Sequence, residues 1–501
     1  MLEALDPINR HDAKKEAWWA QLLALNALSD PRFVPVALAG MFGVLALRVV
    51  IEPFGDQDAG WIAAAGRRMI ATGHVPHDNG WSITDASMPW VMHEWALGPL
   101  YAVAMQSLGL AGPIVIGLVA AAITTALLVA GTVGVARNLG AGALACLLAL
   151  VLTRECLFQP RPAYVCLGLP LAMAWLALAD RMTWARAAAC VALELAWANL
   201  HGSFPLGIGL LVLGLTRSSE RAPRVVALTS ASLATLVTPY GTSLLALVAR
   251  YLHGGDPAAE AIHDHIAEFQ PLWAAGPVFG GPSRIAAVVI VVALALATLL
   301  RGSRNERFDA AFALALAGLA VLQSRHVPQA VTLGLVLLLP ALDRLVDRTG
   351  IEARSEGVAR STILSVAALA LVASVSVIAI GAHADDALGG DALPSLVNDP
   401  RAVGQPTYVP FDAAGRFLWL AGDDARVLFD PRNDCYPAET ALAAYAIEEG
   451  DCTGACVERA LSSVEVAIVP DGHPVTGALS ASPSFVAVRR EGDWQLFIRR
   501  R

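Results

Sequence analysis

The sequence predicts an α-helical polytopic membrane protein with about 11 spans, followed by a small soluble α/β domain. Of its 501 residues, 56% are apolar and only 16% are charged, and the mean hydropathy is +0.56. Soluble domains are about a quarter charged. Residues 383–501 hold 18 acidic and 10 basic side chains, which accounts for the whole net charge of −8. This composition excludes a single soluble domain, a disordered chain and a nucleic-acid-binding protein, which would need a basic face.

The apolar residues are gathered in runs that match membrane-spanning helices. A bilayer core takes about 20 mostly apolar residues per helix. Several runs are shorter, which tilting or burial between neighbouring helices would accommodate. A further apolar stretch at 91–110 is interrupted by His93, Glu94 and Pro99, and it is either a span or a helix near the interface. The predicted spans lie near 33–51, 112–136, 140–153, 163–179, 186–200, 203–216, 225–238, 284–300, 308–323, 327–342 and 361–382.

The basic residues predict the orientation of the chain. We place residues 1–32, interpreted as a surface helix, in the cytoplasm and let 91–136 cross the membrane once. The inner loops then hold 16 Lys and Arg residues, and the outer segments before the tail hold 7. Cytoplasmic loops of membrane proteins carry such an excess. The transmembrane domain is therefore expected at 33–382 in a bacterial inner (plasma) membrane, with outer loops 52–90 and 239–283 and an extracytoplasmic domain at 383–501.

Regular structure is also predicted outside the membrane. Asp58–Thr72 has the pattern of a short helix that ends at Gly73, a common helix-stop residue. Alternating short strands and helices in the tail indicate a small α/β domain. The predicted strands are Ala425–Phe429, Val464–Val469, Phe485–Arg489 and Trp494–Ile498, and the predicted helices are Glu439–Glu448 and Ala455–Leu461. The tail also holds Cys435, Cys452 and Cys456, which could form one disulfide in an oxidising compartment or remain reduced.

Polar side chains at the outer ends of the predicted spans indicate a site. An ionisable group at membrane depth costs roughly 2.5–3.5 kcal/mol on insertion, so those that persist usually line a cavity. An Asp can take a proton from an attacking hydroxyl, and Arg or His can hold a phosphate leaving group. At a membrane surface, the natural phosphate substrate is a lipid phosphate. The residues gathered on this face are Asp56, Asp58, Arg161, Asn199, His201, Tyr240, Arg325 and His326.

Several motifs resemble the GT-C membrane glycosyltransferases, and most closely a large, poorly characterised bacterial branch of them. A first span followed by an Asp-bearing outer loop, here Gly55-Asp56-Gln57-Asp58-Ala59-Gly60-Trp61, is similar to that family. Each further motif is short, and their common order gives the resemblance its specificity. The other matching stretches are Gly73 to Asp78, Trp90 to Trp95, Trp197 to Gly202, Thr238 to Gly241, Glu268 to Pro271 and Phe429 to Tyr436.

The resemblance implies a GT-C-like fold and an enzyme that uses a polyprenyl-phosphate sugar. It places the catalytic base or acceptor-positioning role on Asp58, with Asp56 second, and we add Glu94 as a further catalytic candidate. The expected reaction is inverting transfer of the sugar to a hydroxyl acceptor (a glycan, lipid or protein) at the outer face. We assign lipid-phosphate binding to Arg161, His201, Arg325 and His326, and substrate lining to Asp78, His93, Asn199, Tyr240 and Glu268.

Plainer interpretations of these residues remain open. Asp56 and Asp58 could simply cap the helix that follows them, and His201 could be an ordinary interface histidine. No cofactor is firmly predicted, although His263, Asp264 and His265 leave a divalent metal open. A transporter or flippase for a lipid-linked or anionic solute would need charged groups deep in the spans, and a non-catalytic scaffold would have a shallow cavity without charge.

Overall fold

The computed structural model describes residues 30–51, 56–217, 220–253, 257–276, 280–346, 356–381, 390 and 392–500. The predicted N-terminal surface helix lies almost entirely outside these residues. The described chain is mostly helical, with a small sheet near the C-terminus. Helices α1 to α17 are Phe33–Ile51, Gln57–Thr72, Leu97–Leu108, Ala111–Gly131, Leu139–Leu152, Pro162–Val165, Gly168–Ala177, Trp184–Leu200, Pro205–Gly214, Arg221–Ala234, Thr242–His253, Pro257–His265, Pro282–Arg301, Arg304–Leu322, Val327–Leu337, Leu339–Val346 and Glu356–Ile380.

Four helices of the described chain are long and apolar enough to cross a membrane: Phe33–Ile51, Ala111–Gly131, Pro282–Arg301 and Gly357–Ile380. A fifth candidate is the pair formed by α15 and α16, which is bent by 57°. Exposed apolar side chains on α1, α13 and α17 suit contact with lipid tails. The predicted count of about 11 spans is not confirmed, because many of the expected spans coincide with helices that are too short to cross a bilayer alone.

The two segments predicted to lie outside the membrane, 52–90 and 239–283, are here called the first and second outer segments, and they contain more regular structure than their sequence suggested. The helix predicted at Asp58–Thr72 is confirmed as α2, which ends at Gly73 in the left-handed conformation with φ of 71°. The loop predicted at 239–283 instead carries α11, α12 and a 3₁₀ turn at Ala267–Phe269. These helices are short and carry charged residues, so the segment shows no long periodic run of apolar residues. The sequence alone therefore did not indicate these elements.

The tail forms a mixed four-stranded sheet with short helices around it. Strands β1 to β4 are Thr407–Tyr408, Val466–Pro470, Phe485–Glu491 and Trp494–Arg499, in the spatial order β1-β2-β4-β3. β1 is parallel to β2, and the other pairs are antiparallel. Helices α18 to α22 are Ala392–Val397, Phe411–Ala421, Ala438–Glu448, Ala455–Ala460 and Pro474–Ala481. A disulfide joins Cys452 to Cys456, and Cys435 is a buried free thiol.

The strand predicted at Ala425–Phe429 is wrong. Val427 forms only isolated bridges, one to Ser82 of the first outer segment and one to Thr407. Its backbone N–H donates to Trp81 O at 2.8 Å, and its carbonyl accepts from Ile83 N at 3.0 Å. This segment is rich in residues that favour strands, but its backbone pairs with residues 81–83, which are distant in the sequence. It therefore connects the tail to the first outer segment.

A buried arginine strengthens this connection. The Arg432 guanidinium lies 4.7 Å from the ring centroids of both Trp81 and Trp90. It donates to both carboxylate oxygens of Asp430 at 2.9 and 2.7 Å and to the Asn79 carbonyl at 2.9 Å. Both charged side chains of the pair are fully buried. Because these groups come from the first outer segment and from the tail, they hold the tail against the membrane region.

Replacing Arg432 with Met should destabilise the folded protein strongly. The substitution keeps apolar contact with the tryptophans but leaves the Asp430 carboxylate buried without its partner, at a cost of about 3–5 kcal/mol. The measurement is the free energy of unfolding, or the melting temperature, of the protein purified in detergent. Arg426→Met is the matched control, because Arg426 is exposed and such changes stay within about 0.5 kcal/mol. Equal losses in the two variants would contradict the prediction.

Candidate functional site

Helix α2 carries the two aspartates and is held between two other helices by close backbone contacts. A Cβ atom added at Gly60 would lie 2.5 Å from the carbonyl carbon of Gly415 in α19. One added at Gly66 would lie 1.9 Å from the carbonyl oxygen of Gly98 in α3. Only glycine lets these backbones approach so closely. The position of the aspartates is therefore fixed by both the membrane region and the tail.

Asp56 and Asp58 stand at the N-terminus of α2. Asp56 is the N-cap, and its Oδ1 accepts from the Asp58 backbone N–H at 2.9 Å. This is the capping role that the sequence left open, and an N-terminal carboxylate is also stabilised by the helix dipole. Asp58 Oδ1 accepts from the Trp61 indole N–H at 3.0 Å. The second carboxylate oxygens of both aspartates remain for other partners.

Arg161 joins these aspartates to Glu268 of the other outer segment. Its Nε lies 3.3 Å from Asp56 Oδ2 and 3.2 Å from Asp58 Oδ2, without a straight hydrogen bond to either. Its Nη1 donates to Glu268 Oε2. The Arg161 side chain is only 12% exposed. Three carboxylates, two from the start of α2 and one from a distant part of the sequence, thus surround one guanidinium.

The surroundings shift the ionisation of both aspartates. Burial raises the pKa of Asp58 to about 7, although Arg161 lowers it, and the neighbouring Asp56 charge raises it further. Burial also raises the pKa of Asp56, against the effect of Arg161. Burial by itself would lower the pKa of Arg161, but the adjacent carboxylates raise it well above its ordinary value. A carboxyl with a pKa near neutrality suits proton abstraction.

A second polar cluster contains the predicted residues His93, Glu94 and His201. His93 Nε2 lies 3.0 Å from Glu94 Oε2, and the His93 and His201 rings are 5.7 Å apart between centroids. The proximity of Glu94 raises the pKa of His93, although burial opposes this. His201 Nδ1 is 2.8 Å from Ser203 Oγ. The Ser203 hydroxyl oxygen accepts a hydrogen bond from the Trp197 indole N–H. His201 is thus oriented by a neighbour, and Glu94 is deeply buried.

Arg325 lies next to the segment that carries Glu268. Its guanidinium is 4.1 Å from the Phe269 ring centroid and 5.7 Å from that of Tyr251. The Ser324 backbone N–H donates to Gln270 O at 3.0 Å, which fixes this turn to 267–270. Among the described residues, Arg325 makes no ion pair, and its buried Nε has no hydrogen-bond acceptor. His326 follows it in the same turn.

The tail contributes Asp434, for which the sequence left both a turn with internal ion pairs and a second binding site open. Burial raises the pKa of Asp434 to about 6, while the nearby His93 charge lowers it and that of Glu94 raises it. Asp434 is therefore close enough to His93 and Glu94 for their charges to act on it. Its Phe429 to Tyr436 motif was the available signal, but the fold of the tail was needed to bring it to His93.

Three other predicted lining residues have structural contacts. The Tyr240 hydroxyl donates to Pro76 O at 2.8 Å. The Asn199 amide accepts from Trp95 Nε1 at 2.8 Å and donates to Leu195 O and Val237 O. Asp78 is exposed and forms an isolated bridge with Pro89. Tyr240 and Asn199 thus join the outer segments to the helices, and the contacts of Asp78 belong to a turn.

No cluster of three or more His, Cys, Asp or Glu side chains in the described residues could hold a metal ion. His265, which the sequence left open as a ligand, has its Nδ1 2.8 Å from Glu449 Oε1 of the tail. His263 Nε2 lies 3.4 Å from Gln323 Nε2. These two histidines therefore have different neighbours and do not converge on one point.

Comparison with solved structures identifies the fold. ArnT from Cupriavidus metallidurans in the apo state is 15% identical, and the match covers 92% of this chain and 97% of that chain with a TM-score of 0.52. The Archaeoglobus fulgidus oligosaccharyltransferase tethered with an acceptor peptide is 12% identical over 87% of this chain and 69% of that chain, with a TM-score of 0.50. No family model and no curated protein matches the sequence. Both structures are GT-C enzymes, so the predicted GT-C-like fold is confirmed.

An alanine at Gly60 should displace α2 from α19 and destabilise the protein. The added methyl group would overlap the Gly415 backbone, which cannot move as a flexible side chain could, and overpacking of this kind costs about 1–3 kcal/mol. The measurement is the melting temperature in detergent. Gly318→Ala is the control, because Gly318 also lies within a helix but a Cβ there meets nothing within 4 Å. An unchanged melting temperature for Gly60→Ala would show that the backbone contact is not tight.

Proposed function

We propose that this chain is an inverting glycosyltransferase that moves a sugar from a polyprenyl-phosphate donor to a hydroxyl acceptor. The observation that carries the proposal is the Asp58 carboxylate 3.2 Å from Arg161, with Arg325, which makes no ion pair within the described chain, beside the segment of Glu268. The GT-C-type fold supports transfer of this kind, although a fold alone does not establish a reaction. The excess of basic residues on the opposite side supports an outer-face reaction at a bacterial inner membrane, with an extracytoplasmic tail.

In this mechanism, Asp58 accepts the proton of the acceptor hydroxyl as its oxygen attacks the anomeric carbon. The bond between that carbon and the phosphate oxygen breaks, and the polyprenyl phosphate leaves with the electron pair from the opposite face, which inverts the configuration. Arg325 stabilises the developing phosphate charge, with His201 and His326 nearby. Charge stabilisation of this kind is strong where water is excluded. Glu94 and His93 would line the acceptor side with Asp434.

Transport of a lipid-linked or anionic solute is a second candidate, because it would use a charged group deep within the spans. Glu194 lies within the apolar helix α8, is fully buried, and both its carboxylate oxygens lack a hydrogen-bond partner in the described chain. Sequence analysis did not select this residue. A lone carboxylate at this depth would repel an anionic solute if charged, so we favour the transferase. Movement of lipid-linked substrate across vesicles without release of sugar would favour transport instead.

Asp58→Asn should lower transfer from a labelled polyprenyl-phosphate sugar by about 10²–10⁴-fold, which is the usual contribution of a general base. The amide keeps the size of the side chain but cannot accept the proton. Asp493→Asn is the control, because Asp493 is exposed in the β3–β4 turn. Unchanged turnover of purified, folded Asp58→Asn protein would remove Asp58 from the mechanism.

The transfer rate should fall as the pH decreases through about 7. Asp58 has to be deprotonated to act as a base, and its pKa in the folded protein is raised to about 7. The rate is therefore expected to be near its plateau above that value and to decrease tenfold per pH unit well below it. The measurement is kcat/KM for the lipid donor between pH 5 and 9. A value of kcat/KM that does not change between pH 5 and 7 would contradict the assignment of Asp58 as the base.

A further inference from the structure

The contacts of Arg161 differ from those expected of an arginine that binds a phosphate group. Its Nε lies between Asp56 and Asp58, and its Nη1 donates to Glu268. With the Gln57 amide oriented to satisfy both its neighbours, the amide oxygen accepts from Arg161 Nη2 at 3.3 Å and the nitrogen donates to Asp412. Every nitrogen of the guanidinium therefore has a protein oxygen nearby, and a phosphate would have to displace one of them.

The charges around Arg161 also disfavour a further anion. Three carboxylates share one positive charge in a site where charges are poorly screened, so those that are ionised would repel an added anion. A donor phosphate bound to Arg161 would add another negative charge directly beside Asp56, Asp58 and Glu268. Arg325 offers the contrast, because no carboxylate of the described chain lies within ion-pair distance of it, and Glu268 acts on it only from farther away. An approaching phosphate would therefore gain contacts at Arg325 without breaking any.

We propose that Arg161 is a positioning residue that holds Asp56, Asp58 and Glu268 together, and that Arg325 binds the phosphate of the lipid donor. This inference rests on the proposed function. It separates two arginines that the sequence placed in one role: Arg161 acts on the base, and Arg325 acts on the leaving group.

Several other ionisable groups lie around Arg161 and Asp58. Arg161 is the cation that lowers the pKa of Asp58, whereas burial and the charges of Asp56 and Glu268 raise it. Tyr101 of α3 and Tyr164 of α6 are buried nearby. Helix α19 contributes Asp412, which contacts Gln57. The groups are Asp56, Glu268, Tyr101, Tyr164, Asp412 and Arg325.

Kinetics of matched arginine variants test the separation of roles. Arg161→Gln should lower kcat and move the acid side of the pH profile to higher pH by about 1–3 units, because a nearby opposite charge lowers a carboxyl pKa by that amount. Its KM for the donor should stay within about threefold of the unmodified protein. Arg161→Lys keeps a positive charge and should therefore show a smaller shift than Arg161→Gln. Arg325→Gln should raise KM or lower kcat/KM for the donor without moving the acid side.

A binding measurement keeps the inference independent of catalysis. We would titrate the purified proteins in detergent with polyprenyl phosphate lacking the sugar. Arg325→Gln should lose at least tenfold in affinity, whereas Arg161→Gln should bind as the unmodified protein does. The reverse pattern, or a higher KM in Arg161→Gln with no pH shift, would overturn the inference. If Arg161→Gln does not fold, Arg161→Lys serves in the same assays, with a partial pH shift supporting the inference and weakened phosphate binding overturning it. Absent transfer by the unmodified protein would count against the proposed function alone.

Discussion

The candidate site depends on the ion pairs of one buried arginine with three carboxylates. Asp56 and Asp58 come from the start of α2, Arg161 precedes α6, and Glu268 lies in a 3₁₀ turn more than 100 residues later. Removing a charge from water is expensive, and removing one partner from a buried pair leaves the others uncompensated. None of these segments can therefore take its observed position alone, and the two outer segments are brought together by their charges.

The tail is part of this arrangement and is not an independent appendage. α19 packs against α2 through Gly415 and Gly60, and Arg432 is held between two tryptophans of the first outer segment. Asp434 follows Arg432 by two residues and is close enough to His93 for the His93 charge to act on it. The same contacts that fix the tail in place therefore also complete the second polar cluster. An apolar membrane region and an acidic tail, which the composition distinguishes clearly, share one core at this boundary.

Local signals in the sequence predicted the local parts of the structure. The helix at α2, its end at Gly73 and three of the four strands follow from periodicity and stop residues. Ala425–Phe429 was mistaken for a strand because β-rich composition does not reveal which distant segment supplies the partner. The same limitation applies to Arg161 and Arg325: the sequence predicts that both face the outer side, but only the fold shows that one is surrounded by carboxylates. Glu194 was missed because a single carboxylate does not interrupt an apolar run.

The cluster of Asp56, Asp58, Arg161 and Glu268 meets two opposing requirements on Asp58. A base needs a raised pKa to attract a proton, yet it has to be ionised near neutral pH to accept one. Burial, Asp56 and Glu268 raise the pKa, whereas Arg161 and the Trp61 hydrogen bond lower it, and the result lies near 7. The second and third carboxylates therefore serve a purpose even if they never touch substrate. With fewer of them, Arg161 would keep Asp58 ionised but only weakly basic.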